Sequence, residues 1–473
     1  MASTRKLPPS KPLLERVSAV LGRHVRRGDR LVAGLSGGID SVVMLDLLRR
    51  AAGKMRFEIA ALHVNHQINP AAAKWARFCG AYCRQLGIGL TVVKVNVPRE
   101  SSLEAAARNA RYAVFARLPA DFVALAHNLD DQAETVLLQL LRGAGVKGVS
   151  AMPVLRIAVR GLGIEENLKP RSQSKLNPQS SILNPAILRP LLDITRAEIE
   201  AYARARKLRW VEDDSNADTG FDRNFMRHRL LPVIAERYPA YRKTLARASR
   251  NFAEAAVLLD ELASIDMPNA AAHLKITDLR ALTTARAKNA LRYFLGSHGV
   301  TMPNETRLAE CVRQVQEPRA TGIAIDLGAH ELRRFGSELR VVPKTPVPSA
   351  DFRRQWQGEA RLALPELGAT LLMKKSRGSG LSLAKLQTAA VTVRLRTGGE
   401  RLRPDAKRPR RSLKNLLQEA RLPPWLRARL PLLYCGDTLV YVPGIGIDTA
   451  FGAHSGEPAV EPQWQPDSSQ NGA

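Results

Sequence analysis

Cysteine is scarce in this chain. Four in 473 residues, Cys79, Cys83, Cys311 and Cys435, are too few and too scattered for a disulfide framework. Cys79 and Cys83 stand four apart on a predicted helix, which matches neither Cys-x-x-Cys nor a zinc spacing, so buried free thiols in a reducing cytoplasm are expected. Aromatic residues make up 5%, too few for an extended base-stacking platform. No apolar run reaches the ~18 residues of a membrane-spanning helix, and Met1–Pro9 lacks the apolar core of a secretory signal. Acidic residues are also short, 44 Asp plus Glu against 72 Lys plus Arg, for a net charge of +28. That excess favours a polyanionic partner, and with so few aromatics a folded RNA fits better than a long single strand.

A chain of 473 residues is too long for one ordinary core, so several domains are expected. From Pro12 to about Leu192, apolar strand-like runs alternate with helical patterns. This βαβ alternation predicts an α/β fold, a doubly wound and mostly parallel sheet with helices on both faces. Residues 1–225 are read as this domain, with a polar, flexible insertion at 161–185. A mainly helical domain is predicted at 226–345, ending in the Pro-rich linker 343–348. A small α/β domain is expected at 350–452, and a disordered tail at 456–473.

Ligands of such sheets sit beyond the carboxyl ends of the strands. There the first strand, Arg30–Gly34, runs into Leu35-Ser36-Gly37-Gly38-Ile39-Asp40-Ser41 and then a helical pattern. Strand, Gly-rich turn and helix start form an anion site. A Walker loop would need a lysine; Asp40 stands there instead, which suggests a metal ion bridging carboxylate and phosphate.

Other polar residues fall on the same edge. His63, Asn65 and His66 follow a buried strand, a position suited to nucleotide contact. His127 ends another strand, and Asp130, Asp131 and Glu134 open the next helix. Acids in a first turn are often only dipole complements, but beside Asp40 they suit a Mg²⁺ held by few carboxylates plus ATP phosphates. Glu104, Arg108 and Arg111 share a helix face. Lacking a loop lysine, the site needs a cation against triphosphate and transition-state charge, and Arg108 and Arg111 are the candidates. Gly143–Gly148 spells Gly-x-Gly-x-x-Gly but follows a helix, so it reads as a helix C-cap and not a dinucleotide fingerprint. Residues 401–430 hold ten Lys/Arg and two Asp/Glu, around Lys407-Arg408-Pro409-Arg410-Arg411, and are read as a phosphate-contacting face.

The Ser36–Ser41 loop resembles the pyrophosphate loop of the ATP pyrophosphatase superfamily, whose members split ATP to AMP and pyrophosphate. His63-Val64-Asn65-His66, Glu104-Ala105-Ala106-Ala107-Arg108-x-x-Arg111-Tyr112 and Ala126-His127-Asn128-x-Asp130-Asp131-Gln132-Ala133-Glu134-Thr135 narrow the likeness to the tRNA(Ile)-lysidine synthetase family. Arg189-Pro190-Leu191-Leu192, Trp210-Val211-Glu212-Asp213, Arg223-Asn224 and Arg227-His228 continue it. So do Arg394-x-Arg396-x-Gly398-Gly399-Glu400 and Pro423-Pro424-Trp425-Leu426-Arg427. Asp214 stands where the family pattern has a proline, and the 161–185 stretch is long for it.

The resemblance implies an ATP-dependent ligase acting on the wobble cytidine of a CAU-anticodon isoleucine tRNA. O2 of the base would be adenylated, with Ser36, Gly37, Gly38, Ile39, Asp40 and Ser41 holding pyrophosphate and Asp40 with Asp130 or Asp131 holding Mg²⁺. Free lysine would then displace AMP from C2, with Glu134 facing its ammonium. Helical and C-terminal domains would contact the tRNA body; a homodimer is compatible with the sequence, a membrane partner is not. The rival reading is a 2-thiolating tRNA ATPase, which needs a cysteine pair or a catalytic cysteine to deliver sulfur.

Overall fold

The computed structural model describes residues 11–97, 103–157, 184–212, 218–268, 274–317, 323–344, 348–349 and 351–466. The 161–185 insertion, but for its last two residues, lies outside them, as do Asp214 and the middle of the 343–348 linker. The chain divides into two units, Met1–Ile265 and Asp266–Ala473. Among the described residues no helix is long and apolar enough to cross a membrane.

The first unit opens with α1 (Leu13–His24), β1 (Arg30–Gly34), α2 (Ile39–Met55), β2 (Glu58–Asn65), α3 (Ala72–Leu86) and β3 (Leu90–Lys94). It continues through α4 (Leu103–Phe115), β4 (Phe122–Ala124), α5 (Leu129–Leu141), α6 (Val146–Val149), β5 (Leu155–Arg156) and β6 (Ala186–Leu188). The helices α7 (Arg196–Ala205), α8 (Asp222–Phe225), α9 (Leu231–Arg237) and α10 (Tyr241–Asp266) complete it.

The strands order as β3-β2-β1-β4-β6-β5, all parallel except the β5 edge. Helices cover both faces, so the central strands are apolar throughout, with Leu31, Ala33, Val123, Ala124 and Leu188 fully buried. β1 pairs with β2 on one side and β4 on the other, so the order reverses there and the loops after β1 and β4 splay apart. That reversal is where doubly wound sheets place a ligand.

Two helix starts are fixed by reciprocal caps. Asn128 and Asp131 close a capping box on α5, and Thr195 and Glu198 close one on α7. Gly143, with φ +69°, ends the turn after α5 as the expected C-cap. The domain break expected at 225 falls inside the compact unit. Leu231 and Tyr241 are buried against Ala133 of α5, so α9 and α10 belong with the sheet, and the polar sequence after α8 is a turn within the unit.

In the second unit the helices Ile276–Ala281, Thr284–Ser297 and Glu305–Gln316 share a core with a four-stranded antiparallel sheet. The region expected to be mainly helical therefore carries a sheet of its own, built on strands such as His330–Phe335 and Glu338–Pro343. Residues 351–466 mix short helices with antiparallel sheets of five and four strands. Of the tail expected to be disordered at 456–473, residues 467–473 lie outside the described ones, and Pro458–Pro466 is instead a strand, paired with Ala369–Arg377 along its whole length. Its Val460 is buried on one face while Glu461 turns to the other. Its prolines had masked this period-2 pattern.

Candidate active site

The loop after β1 is shaped by two serines and a glycine. Ser41 Oγ accepts from the backbone N–H groups of Ser36 and Gly37, both at 3.2 Å, and donates to the Gly38 carbonyl at 2.8 Å. Gly37 has φ +94°, and a Cβ there would meet Val211 Cγ2 at 2.8 Å, so only glycine lets the loop close. His63 lies beneath it and donates from Nδ1 to the Leu35 carbonyl at 2.8 Å. Asn65 accepts from the Gln67 N–H at 2.9 Å and turns the chain out of β2. These two residues, expected at the nucleotide, bond to backbone groups just after β1 and β2.

The expected carboxylates converge. Asp40 lies in the first turn of α2, and its Oδ1 accepts from Asn128 Nδ2 at 3.1 Å, which joins the loop to the start of α5. Burial pushes its carboxyl above the usual range, and the nearby Asp131 charge adds to this while Arg196 opposes it. Glu134 is fully buried and held by both oxygens, Arg227 Nε at 2.7 Å and Nη2 at 3.1 Å. Its carboxyl is also pushed up by burial, against the pull of Arg227. Asp131 shares Arg227 at 3.2 Å. Asp130 pairs with Arg242 and accepts the Arg196 backbone N–H at 2.8 Å.

Every carboxylate of the cluster thus faces an arginine from α7, the π-helical turn Met226–Leu230 or α10. Arg196 and Arg242 carried no motif signal. Arg223 and Arg227 stood in recognised blocks without an assigned role. The missed clue was electrostatic, since acids gathered at one buried edge demand cations nearby.

Arg108 and Arg111 belong to a second, cationic group. Arg108 lies 5.0 Å over the Tyr112 ring and Arg156 lies 5.8 Å from it, with the buried Arg189 hydrogen-bonded to the same tyrosine. Arg189 Nη1 donates to the Pro153 carbonyl at 2.7 Å. His66 and His127 border this group, and among the described residues the buried Nδ1 of each has no partner. Burial, then Arg111, lowers His66 to about 4. Burial, then Arg189, Arg223, Arg108 and Arg111, holds His127 well below the usual imidazole range. Both rings are neutral at physiological pH, beside guanidinium groups that favour an anion.

No three His, Cys, Asp or Glu side chains among the described residues converge on a metal cage. Asp40 and Asp131, close enough to sense each other's charge, fit Mg²⁺ nonetheless, because that ion takes one or two carboxylates and completes its shell with phosphate oxygens and water.

A phosphate loop at the switch point of a parallel sheet, faced by acids from the next crossover, defines the PP-loop class, and the PP-loop domain model matches residues 11–234. The models of the TilS substrate binding domain and the TilS substrate C-terminal domain match 274–340 and 391–464. The tRNA(Ile)-lysidine synthase of Nitrosomonas europaea is 44% identical over 94% of each chain. That of Azoarcus sp. (strain BH72) is 38% identical over 92% of each. This chain belongs to the tRNA(Ile)-lysidine synthase family. Among solved structures it is similar to the U34-tRNA thiolase NcsA from Methanococcus maripaludis, with 20% identity, 51% of this chain and 78% of that one covered, and TM-score 0.41. A TilS C-terminal domain aligns with 24% of this chain and 98% of its own, at 21% identity and TM-score 0.21.

Proposed function

We propose that this protein ligates free lysine to C2 of the wobble cytidine of an isoleucine tRNA, using ATP and releasing AMP and pyrophosphate. The carrying observation is the meeting of Asp40, Asp130, Asp131 and Glu134 around the Ser36–Ser41 loop. In the first step cytidine O2 attacks the α-phosphorus of ATP. The O2–Pα bond forms, the Pα–O bond to the β-phosphate breaks, and pyrophosphate leaves. The loop amides and the α2 N-terminus receive its charge, with Arg108 and Arg111 as further cations. Mg²⁺ held by Asp40 and Asp131 would neutralise charge between the phosphates. Asp130 instead anchors Arg242 and the start of α7.

In the second step the lysine ε-amine attacks C2 and AMP leaves with the former O2. Adenylation is needed because the oxygen of an amide-like carbonyl is a poor leaving group. The ammonium must first lose a proton; Glu134, whose carboxyl burial makes more basic, would attract it together with Asp131, in competition with the Arg227 guanidinium that both carboxylates now hold. The target base must leave its stack to reach the sheet edge.

Sulfur transfer is the weaker reading. All four cysteines are buried, and burial pushes the Cys79 thiol up to about 12 and that of Cys83 to about 11. Neither ionises readily at neutral pH. The test is to incubate the protein with ATP, Mg²⁺, labelled lysine and isoleucine tRNA transcript. Label entering the RNA, and lost in Asp40→Ala, supports the reading; no label with a verified transcript overturns it.

A further inference from the structure

We propose that the groove between α1 and α10 binds a backbone phosphate of the RNA substrate, beside the reacting nucleotide and apart from the Ser36–Ser41 loop. This rests on tRNA being the substrate. Two adjoining hollows, about 280 and 420 Å³, share Arg16, Leu129, Asp193 and Lys243 as walls. Lys11 and Glu198 border one and Arg250 borders the other. Four cations there face two acids. Arg16 is committed to Glu198 at 2.6 Å, and Arg250 lies 3.7 Å from Asp193. Among the described residues Lys11 and Lys243 have no acidic partner, so the groove holds charge that its own acids do not neutralise.

The α10 sequence is segregated in the same sense. Arg242, Lys243, Arg247 and Arg250 occupy its first half, and every acid (Glu254, Asp260, Glu261 and Asp266) follows them. Lys243, Arg247 and Arg250 are exposed and, at i, i+4 and i+7, share one face. A solvated helix would gain more from mixed signs, whereas a row of cations beside a hollow suits a polyanion.

The location gives the groove a task. Leu129 and Thr195, in its walls, directly precede Asp130 and Arg196. On α10, Arg242 pairs with Asp130 while its neighbour Lys243 faces the groove. A phosphate held here fixes the helix that steadies Asp130, and it flanks whichever base enters the site. Such a contact would set register and affinity without reading sequence.

The experiment uses the full chain with Lys243→Ala, Arg250→Ala and their double variant, the conservative Lys243→Arg, and Lys54→Ala as a remote control. Binding of labelled isoleucine tRNA is measured across a salt series, with Michaelis constants for ATP and lysine from the ligation assay. The double variant is expected to bind tRNA at least tenfold more weakly and to lose about one from the log–log salt slope, the share of one phosphate contact. Lys243→Arg should retain most binding, the control should match wild type, and both Michaelis constants should stay within about twofold. An unchanged salt slope overturns the proposal. So does a raised constant for ATP or lysine with normal tRNA binding, which would assign the groove to triphosphate or to the amino-acid carboxylate. If wild type binds tRNA without labelling it, the ligase reading fails while the groove is still tested; if wild type does not bind tRNA, both fail.

Discussion

The Arg196 guanidinium holds Asp40, and the backbone N–H of the same residue donates to Asp130 Oδ2 at 2.8 Å. One residue at the start of α7 thus neutralises the loop carboxylate and aligns the helix behind it. If Asp40 receives Mg²⁺, the ion competes with that guanidinium. Arg196→Ala is expected to lower the Mg²⁺ concentration for half-maximal rate by several-fold while reducing the maximal rate. Initial rates over a Mg²⁺ series at saturating ATP read both. A shift to higher Mg²⁺ would argue against Asp40 as a ligand.

Glu134 is fully buried and depends on Arg227. Arg227→Met leaves a buried carboxylate without its main partner, a change that costs about 3 kcal/mol. Adding Glu134→Gln in the same chain should restore most of this, because no buried charge is then left. Urea unfolding of the wild type and three variants gives the coupling. Simple additivity would mean that the pair does not act as one unit.

The raised Glu134 carboxyl gives a signed pH effect. The native state holds this proton more tightly than the unfolded chain does. The stabilisation is therefore complete below the ordinary value of 4.5 and is lost as pH rises through the raised one. Glu134→Gln has no such group, so its melting temperature minus that of wild type should grow more positive from pH 4.5 to 7.5. A flat difference would place Glu134 in the ordinary range. If Glu134 receives the lysine ammonium as proposed, activity should run the opposite way, since that role needs the ionised form.

His66, lowered to about 4, should be neutral throughout the working range. Its ring resonances, assigned through His66→Asn, are expected to stay fixed from pH 8 to 5.5 and to move only near 4. A midpoint near 6.5 would mean an open, solvated ring.

Gly37 and Gly38 should part company. Alanine at Gly37 would need φ +94° and would meet Val211, so Gly37→Ala is expected to cost about 1–2 kcal/mol. Gly38 has φ −70° and ψ 160°, and a Cβ there comes no nearer than 3.5 Å to Ser36 Oγ. Gly38→Ala should fold like wild type. Equal thermal shifts would show that the loop relaxes.

Much of this was legible because catalytic chemistry clusters at strand ends. The alternation up to Leu192 gave the parallel sheet, and the polar residues at its carboxyl edge gave Asp40, Asp131 and Glu134 their meeting place. The arginines were not legible, because Arg196 and Arg242 come from helices whose position over that edge is a matter of tertiary packing. His63 was expected at the nucleotide from its strand-end position; its bond to the Leu35 carbonyl was not legible, since the direction of a ring out of a strand depends on backbone that only the fold brings near. Antiparallel sheets in the second unit were hidden by short strands rich in arginine, as at Arg333 and Arg340. The strand at Pro458–Pro466 was hidden by its prolines.

That last strand lies between Ala369–Arg377 and Leu381–Ser382 in its sheet. Its partners are synthesised some eighty residues earlier, yet they must wait for it with their hydrogen-bonding edges bare. N-terminal parts of a chain fold first during synthesis, so the sheet and loop of the first unit can form while the ribosome is still at work. The C-terminal sheet closes only once Pro458–Pro466 has been made. A nascent or prematurely terminated product would therefore present an ATP-handling unit before, or without, a finished C-terminal domain.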